Sequence, residues 1–411
     1  MTLNSTHTCT IESVAYGGDG IARIEGCVVF IPGTLPGERI KIRITQLKKT
    51  FARAVLVEII TPSPHRIEPC CRVDDIGVLK CVPGCVYDAV DYPLEVLIKQ
   101  QQLESSLRHV PHDSAIFHPP VASPQSLHYR NKITLHAETT PSGMMRLGYR
   151  EEPSHRVIDI PFCPLAHPAI NEALRTLRTS GGIENMLKHG DDLIFRHTLH
   201  DGVIWRSRKG AISPGYPASL TVQSTIGKLT VPNNGFFQVN TSIAGLLLDF
   251  TAQRFKERSD CSEILDLYCG VGVFGLTCMK HGGRCLTGVE SGRAAIAAAQ
   301  ENATRYDIPA RFHVHALGLQ TIRLQDWLVN PTQTTLIINP PREGMDKRVA
   351  EAISQSDIPR IFYISCDPAT LTRDLKIILS TEKRQIRHVR LFDMFPRTAR
   401  FETFVELCSI E

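Results

Sequence analysis

The sequence predicts an α/β protein whose C-terminal part is a parallel, doubly wound sheet, preceded by a small β-barrel and a mixed α+β segment. Three observations carry this. From about residue 231, short apolar runs that read as buried strands alternate with helical stretches, the pattern of βαβ units. The first 65 or so residues instead hold many short strands separated by turns, as in an OB-like barrel. A cluster of prolines, Pro62, Pro64 and Pro69, separates that region from the rest of the chain.

Length and composition set the frame. The chain has 411 residues, room for roughly two to four domains. With 42% hydrophobic and 21% charged residues it is close to the globular average, which excludes a disordered, collagenous or coiled-coil chain. No apolar run approaches the ~20 residues needed to span a bilayer. The start, MTLNSTHTCT, lacks a basic region followed by an apolar stretch, so no secretory signal is expected. The formal charge of +4 permits nucleic acid as a partner without demanding it. The 13 cysteines, an odd number in a long chain, read as thiols of a cytoplasmic protein. Most should be small buried hydrophobes, with a minority binding metal or doing chemistry.

Taken in order, Ser13–Arg23 reads as strand, Gly-rich turn and strand, and Gly26–Gly33 holds a third strand. Glu38–Ile44 alternates charge with isoleucine at period 2, so one face is buried and the other basic. Lys48, Lys49 and Arg53 extend the basic side. A cysteine-rich segment comes next, with Cys70, Cys71, Cys81 and Cys85, then a helical stretch near Tyr92–Leu107. The mixed region carries strand-like runs at Lys132–Ala137 and Leu193–Thr198, a helical stretch at Ala169–Leu177, and Cys163-Pro164. The expected domains are therefore 1–66, 67–230 and 231–411.

The last domain carries the chemistry. Strand Ile264–Tyr268 runs into Cys269-Gly270-Val271-Gly272, and Gly275 completes G-x-G-x-x-G. Glycines between strand and helix let backbone amides approach a ligand at the sheet's carboxyl edge. Glu290 ends the next strand, where a carboxylate can accept hydrogen bonds from a ribose diol. A nicotinamide dinucleotide competes for such a loop, and so does a bare strand–helix turn. The leading Asp-Leu-Tyr-Cys-Gly favours S-adenosylmethionine. Asn339-Pro340-Pro341-Arg342-Glu343-Gly344 closes a further strand with a stiff turn. Ser365-Cys366-Asp367-Pro368 puts a thiol at another strand end, just before a helix whose field should favour thiolate. Glu402 is a candidate base, although a lone carboxylate at a strand start is ordinarily solvated.

Taken together these stretches resemble the RNA uracil-5-methyltransferase family, specifically its 23S ribosomal RNA branch. The resemblance runs over nearly the whole chain. Residues 9–62 are similar to the TRAM domain, an OB-like RNA-binding module. Phe236–Asn240 resembles the family's F-x-Q-x-N motif, Asp266–Gly272 its D-L-Y/F-C-G-x-G loop and Asn339–Gly344 its D-P-P-R-x-G. Ser365–Thr370 resembles its S-C-[ND]-P-x-T nucleophile motif and Met394–Thr403 its terminal M-F-P…E-T. The resemblance implies a Rossmann-like class I methyltransferase domain. It makes Cys366 the nucleophile and Glu402 the base, with Gln238, Tyr268, Gly270, Glu290 and Asn339 contacting S-adenosylmethionine.

Uracil chemistry needs such a pair. Carbon 5 is a poor nucleophile towards a sulfonium methyl. Addition of a thiolate to carbon 6 turns the ring into an enolate, and after methyl transfer a base removes the proton from carbon 5 so that the thiol can leave. A dinucleotide oxidoreductase gives Cys366 and Glu402 no role. A non-catalytic RNA-binding protein on the same scaffold does not need Cys366, and a transfer RNA enzyme would need the same pair.

The chain departs from the family pattern in three places. Asn339 replaces the usual Asp, keeping hydrogen bonding but not charge. Val273 stands where branch relatives can have Asn. The cysteine spacing is C-x9-C-x3-C over Cys71, Cys81 and Cys85, with Cys163 as a fourth, where members with an iron–sulfur centre show C-x5-C-x2-C. Four thiolates suit a [4Fe–4S] cluster and equally structural zinc. The flanking Tyr92 and Lys99–Leu103, placed as in the family, favour the cluster, which would order loops. Cys70 could stand in for Cys71. The expected partner is RNA, a single-stranded loop of 23S ribosomal RNA bound by a monomer. The barrel's Arg39, Lys41, Arg43, Lys48, Lys49 and Arg53 would meet phosphates, His128–Lys132 would lie on the RNA side, and the target base would leave its stack to reach Cys366.

Overall fold

The computed structural model describes residues 1–410 other than 75–78, 114–115, 152–153, 182, 184–185, 259 and 319–322. The N-terminal unit is a six-stranded sheet of β1 (Thr6–Thr10), β2 (Ser13–Val14), β3 (Gly20–Ile24), β4 (Cys27–Ile31), β5 (Arg39–Leu47) and β6 (Phe51–Thr61), in the order β1-β5-β6-β4-β3-β2. It folds around Ile11, Val29, Ile31, Ile40, Ile42 and Ile44. The period-2 reading of β5 holds: its three isoleucines are 0% exposed, while Arg39, Lys41 and Arg43 face solvent. Strands β1 and β6 are not announced by the sequence pattern. Thr6–Thr10 has no apolar run, and β6 is interrupted by register shifts against β5 that blur its alternation.

Strands β7 (Arg72–Asp74) and β8 (Leu79–Cys81) form a two-stranded ribbon ahead of helix α1 (Tyr92–Leu107). Asp91 caps α1 by accepting from the Leu94 N–H, and Pro93 sits in the first turn, where a missing N–H costs nothing. After β9 (Phe117–Val121), a five-stranded antiparallel sheet comprises β10 (Lys132–Thr139), β11 (Met145–Arg150), β12 (Val157–Asp159), β13 (Asp192–Thr198) and β14 (Gly202–Ser207). Helix α2 (Pro168–Thr179) adds Ile170 and Leu174 to its core. A hairpin of β15 (Ser219–Ser224) and β16 (Gly227–Pro232) leads into helix α3 (Thr241–Lys256).

The C-terminal sheet has eight strands. Its own are β17 (Glu263–Leu267), β18 (Cys285–Glu290), β19 (Ala310–Val314), β20 (Thr334–Ile338), β21 (Arg360–Ser365), β22 (Arg384–Phe392) and β23 (Glu402–Ser409), ordered β19-β18-β17-β20-β21-β23-β22-β9. Helices α4 (Val273–Lys280), α5 (Arg293–Arg305), α6 (Lys347–Gln355) and α7 (Pro368–Ile378) connect them. The first five strands are parallel, as expected. At the other end the sheet takes in further strands: β23 inserts antiparallel between β21 and β22, and β9 joins the edge from the middle of the chain. Strand β21 shows why these runs are largely apolar. Ile361 and Tyr363 enter one core, Phe362 and Ile364 the other, so neither face meets water. No helix among the described residues is long and apolar enough to cross a membrane.

A buried charge cluster ties α1 to the segment before β23. Lys99 Nζ donates to Glu95 Oε1 at 2.7 Å and to Asp393 Oδ1 at 2.8 Å, with all three side chains 0% exposed. The Tyr92 hydroxyl donates to Asp393 Oδ2 at 2.8 Å, and the Arg397 N–H to Glu95 Oε1 at 2.6 Å. Burial alone would lower the Lys99 pKa, but the two carboxylates outweigh it and raise it. Lys99→Met leaves Asp393 buried without its counter-charge, and Glu95 with only Arg397 Nη1 at 3.4 Å. A loss of about 3–5 kcal/mol of unfolding free energy is expected in urea denaturation, and a loss below about 1 kcal/mol would show that the cluster does not hold α1 to this segment.

Candidate active site

Cys366 and Glu402 stand opposite each other. The β21–β23 ladder pairs Ser365 with Thr403, so one step outward on each strand brings residue 366 against residue 402. Glu402 is 4% exposed, and its Oε2 has no hydrogen-bond partner among the described residues. Burial pushes its carboxyl up to about 8, against the lowering influence of Arg342. Its place at a strand start matches the sequence reading; its solvation does not. Strand β23 is central rather than at an edge, which removes the water a free strand end would have.

The expectation of a Cys366 thiolate is also corrected. Burial, then the Glu402 charge, push its thiol up to about 11, with Arg342 and Arg400 pulling the other way. The N-terminus of α7 does not serve the thiol, because Asp367 caps it by accepting from the Ala369 and Thr370 N–H groups at 3.0 and 3.1 Å. Asp367 is itself held by Arg400 Nη1 at 2.6 Å. The barrel reaches this point too: the Tyr16 hydroxyl lies 3.5 Å from Asp367 Oδ2 and accepts from Arg400 Nη1 at 3.2 Å. Sequence reasoning missed Arg342, Arg400, Asp367 and Tyr16 as members of one site. The two arginines do lie inside the loop and C-terminal motifs, but nothing in the sequence marks Tyr16, which joins only through the fold.

The glycine loop is built for close approach. Tyr268 and Gly270 adopt φ +61° and +54°, and Gly272 turns into α4 at φ +83°. A Cβ on Gly275 would come within 2.6 Å of Leu286 and 3.0 Å of Asp266 Oδ2, so only glycine lets α4 seat this low on the sheet. Glu290 closes the loop: its Oε2 accepts from the Gly270 N–H at 3.3 Å, and its Oε1 from the Gly292 N–H at 2.8 Å. A carboxylate has further lone pairs for a ribose diol. Asp266 is a site member that the sequence reading did not single out. Its Oδ2 accepts from the Gly275 N–H at 3.0 Å while burial, with the Glu290 charge adding, pushes it up to about 7. Asn339 comes directly after β20 beside this loop, its N–H reaching the Leu267 carbonyl at 3.4 Å. Gln238 arrives from the other side: Asn131 Nδ2 donates to its carbonyl at 3.0 Å, and Phe237 shares a core with Val271 and Phe274. The strand ends thus present a glycine-lined cradle with a carboxylate, next to a thiol and a neutral buried acid, a fit for a nucleoside-bearing methyl donor.

The cysteines gather as expected: the Cys71 thiol is within hydrogen-bonding reach of those of both Cys70 and Cys85 and feels the charge of Cys81. Cys71, Cys85 and Cys163 are buried in the core of the central sheet, with Cys70 and Cys81 packed against it. Cys70 and Cys71 Sγ lie 3.8 Å apart, Cys81 Sγ donates to the Cys85 carbonyl at 2.7 Å, and the Tyr149 hydroxyl donates to Cys163 Sγ at 3.4 Å. Burial pushes the Cys81 thiol up to about 12. Among the described residues no group of three or more His, Cys, Asp or Glu side chains is close enough to hold a metal. On the barrel, Arg53 is engaged with Asp19 at 2.9 Å, which removes it from the free basic face.

Comparison with known proteins agrees with this geometry. The family model described as tRNA (Uracil-5-)-methyltransferase matches residues 186–409, and the TRAM domain model matches residues 2–57. The chain is 30% identical to the 23S rRNA (uracil(1939)-C(5))-methyltransferase of Acidithiobacillus ferrooxidans, covering 96% of this chain and 95% of that one. It is 29% identical to the tRNA (uracil(54)-C(5))-methyltransferase of Schizosaccharomyces pombe, covering 97% and 77%. The crystal structure of Pyrococcus abyssi tRNA (uracil-54, C5)-methyltransferase with S-adenosyl-L-homocysteine shares the fold at a TM-score of 0.71 and 22% identity, over 97% of this chain and 99% of that one. A nicotinamide-dependent reading of the glycine loop is set aside by these matches. With its TRAM domain, its glycine cradle and its opposed thiol and acid, the chain belongs to the tRNA (uracil-5-)-methyltransferase family of S-adenosylmethionine-dependent RNA uracil-5-methyltransferases.

Proposed function

We propose that the substrate is a uridine of 23S ribosomal RNA, methylated at carbon 5 through a covalent adduct on Cys366. The observation that carries the mechanism is the buried Glu402 carboxyl facing Cys366, its Oε2 without a hydrogen-bond partner among the described residues and the Arg342 charge acting on both groups. Arg342 and Arg400 favour loss of the Cys366 proton. Cys366 Sγ bonds to carbon 6 of the uracil, and the ring electrons move to the carbonyl oxygen. Carbon 5 then takes the methyl of S-adenosylmethionine, whose sulfonium becomes a neutral thioether. Glu402 accepts the carbon 5 proton, the carbon–sulfur bond at carbon 6 breaks, and the double bond returns. Glu290 and Gly270 hold the donor's ribose side, with Gln238, Tyr268 and Asn339 around its remainder. Residues 1–66 form the RNA-binding barrel, 67–230 the central domain and 231–411 the methyltransferase domain.

The ribosomal choice is supported by relatives in that branch matching over nearly their whole length. Incubation with labelled S-adenosylmethionine and total RNA, and then digestion, should place 5-methyluridine in 23S ribosomal RNA. Label confined to transfer RNA would move the substrate to that class.

The finer reading of the cysteines belongs to the same proposal. Their gathering into one core supports Cys71, Cys81, Cys85 and Cys163 as holders of a [4Fe–4S] cluster, which would supply structural order to the β7–β8 ribbon. Anaerobic purification should then yield brown protein with about four iron and four sulfide per chain. Colourless protein with stoichiometric zinc, or with no metal, would reject the cluster.

A further inference from the structure

The N-terminal barrel places one side chain at the nucleophile. Residues 15–19 join β2 to β3, and their turn closes through the Ala15 N–H to the Asp19 carbonyl at 2.8 Å. Contacts from three directions seat it. From α1, Gln102 Nε2 donates to the Val14 and Ala15 carbonyls at 3.2 and 2.9 Å. From β6, Arg53 Nη1 donates to Asp19 Oδ2 at 2.9 Å. Gly18 lies so close to Val86 that a Cβ there would come within 2.6 Å of it. A turn held this way points Tyr16, its second residue, in one direction.

That direction is the segment carrying Cys366. The Tyr16 hydroxyl accepts from Arg400 Nη1 at 3.2 Å, and the same nitrogen donates to Asp367 Oδ2 at 2.6 Å. The Arg400 guanidinium carbon lies 6.0 Å from the centre of the Tyr16 ring, within reach of its face. Phe401 packs against that ring edge to face, with 6.0 Å between centroids. Arg400 and Phe401 directly precede Glu402, and Asp367 directly follows Cys366. Tyr16 therefore joins the two segments that bear the nucleophile and the base. Burial pushes its phenol up to about 12, so it stays a neutral hydroxyl.

Arg400 needs such a partner. Its side chain is 38% exposed, so the ion pair with Asp367 is a weak tether by itself. Glu402 on β23 and Asp367 beside Cys366 oppose ionisation of the thiol, whereas Arg342 after β20 and Arg400 before β23 favour it. An Arg400 that swung into solvent would withdraw a favourable charge and leave that of Asp367 uncompensated. We propose that Tyr16 is a positioning residue for the reaction: its hydroxyl and ring hold Arg400 beside Cys366, so that a docked barrel completes the charge environment of the nucleophile. This rests on Cys366 being the nucleophile and deepens that reading. It gives the barrel a task besides carrying RNA, because the thiol is fully primed only when the barrel is seated.

The test reads the thiol directly, without RNA. Full-length protein is alkylated with iodoacetamide from neutral to alkaline pH, and the Cys366 peptide is quantified by mass spectrometry. The thiolate is the nucleophile, so on the rising limb of the profile the rate follows the ionised fraction. Tyr16→Phe keeps the ring and its packing and removes only the hydroxyl. It should lower the rate about 3-fold at each pH on that limb, as a half-unit rise in the midpoint does. Arg400→Gln should lower it about 10-fold. In the Arg400→Gln background, Tyr16→Phe should cost nothing further, a coupling that general loosening of the barrel would not produce. Adduct formation with 5-fluorouridine RNA should slow by the same factor of about 3 in Tyr16→Phe, with RNA affinity kept. An unchanged alkylation rate in Tyr16→Phe, or independent losses in the double variant, would overturn the proposal. So would a loss of RNA affinity with an unshifted profile, which would make Tyr16 an RNA contact instead. Failure of the enzymatic reading shows separately, as wild-type protein that forms no 5-methyluridine in any RNA while the alkylation coupling persists.

Discussion

Cys366→Ala forms no 5-methyluridine and traps no RNA. In wild type, RNA substituted with 5-fluorouridine should accumulate as a covalent complex in the presence of S-adenosylmethionine. After methyl transfer the fluorine on carbon 5 cannot leave as a proton, so the adduct cannot collapse. The loss in Cys366→Ala should be complete within the sensitivity of gel electrophoresis and of label transfer, because without the carbon–sulfur bond carbon 5 is never made nucleophilic. The substitution is small and half-buried, so circular dichroism and cofactor affinity should be retained. An undiminished adduct in the variant would end the proposed mechanism.

Glu402→Gln has the second-largest expected effect, and a different signature. Addition and methyl transfer proceed, but nothing accepts the carbon 5 proton. Ordinary, unfluorinated RNA should now remain attached to the protein, and turnover should fall by about 10²–10⁴-fold. The pH dependence has a definite sign. Burial holds the Glu402 carboxyl neutral below about 8, and a base works only when ionised. The Cys366 thiol, pushed up to about 11, also reacts only when ionised. Wild-type turnover should therefore rise with pH through about 8, and slow release by Glu402→Gln should show no such rise. Rapid, clean turnover by that variant would exclude Glu402 as the essential base.

Much of the architecture is readable because burial leaves a mark on sequence. Strands β17, β18, β20 and β21 are covered on both faces and are largely apolar, with their charged residues near the ends. Helix α1 obeys its cap and its first-turn proline, and its predicted bounds, Tyr92–Leu107, are those observed. The features that escape are set by partners distant in sequence. Strand β23 inserts between β21 and β22, and that placement buries Glu402. The capping of α7 by Asp367 and its link to Arg400 redirect a helix N-terminus that Cys366 alone would have faced. Tyr16 carries no motif and enters the site only because the barrel docks there. The cysteine set is legible as a neighbourhood, since all its members reach one core.

The contacts that finish the site have a kinetic side. Tyr16 meets Asp367 across 351 positions of chain, Tyr92 and Lys99 meet Asp393 across 301 and 294, and Arg397 meets Val90 across 307. Contacts of such separation cannot form until large loops close, and folding is slower where they dominate. The strand–helix units around the glycine loop can assemble locally first. During refolding, helical signal and cofactor binding should therefore return early, and methylation should lag until the two ends of the chain find each other.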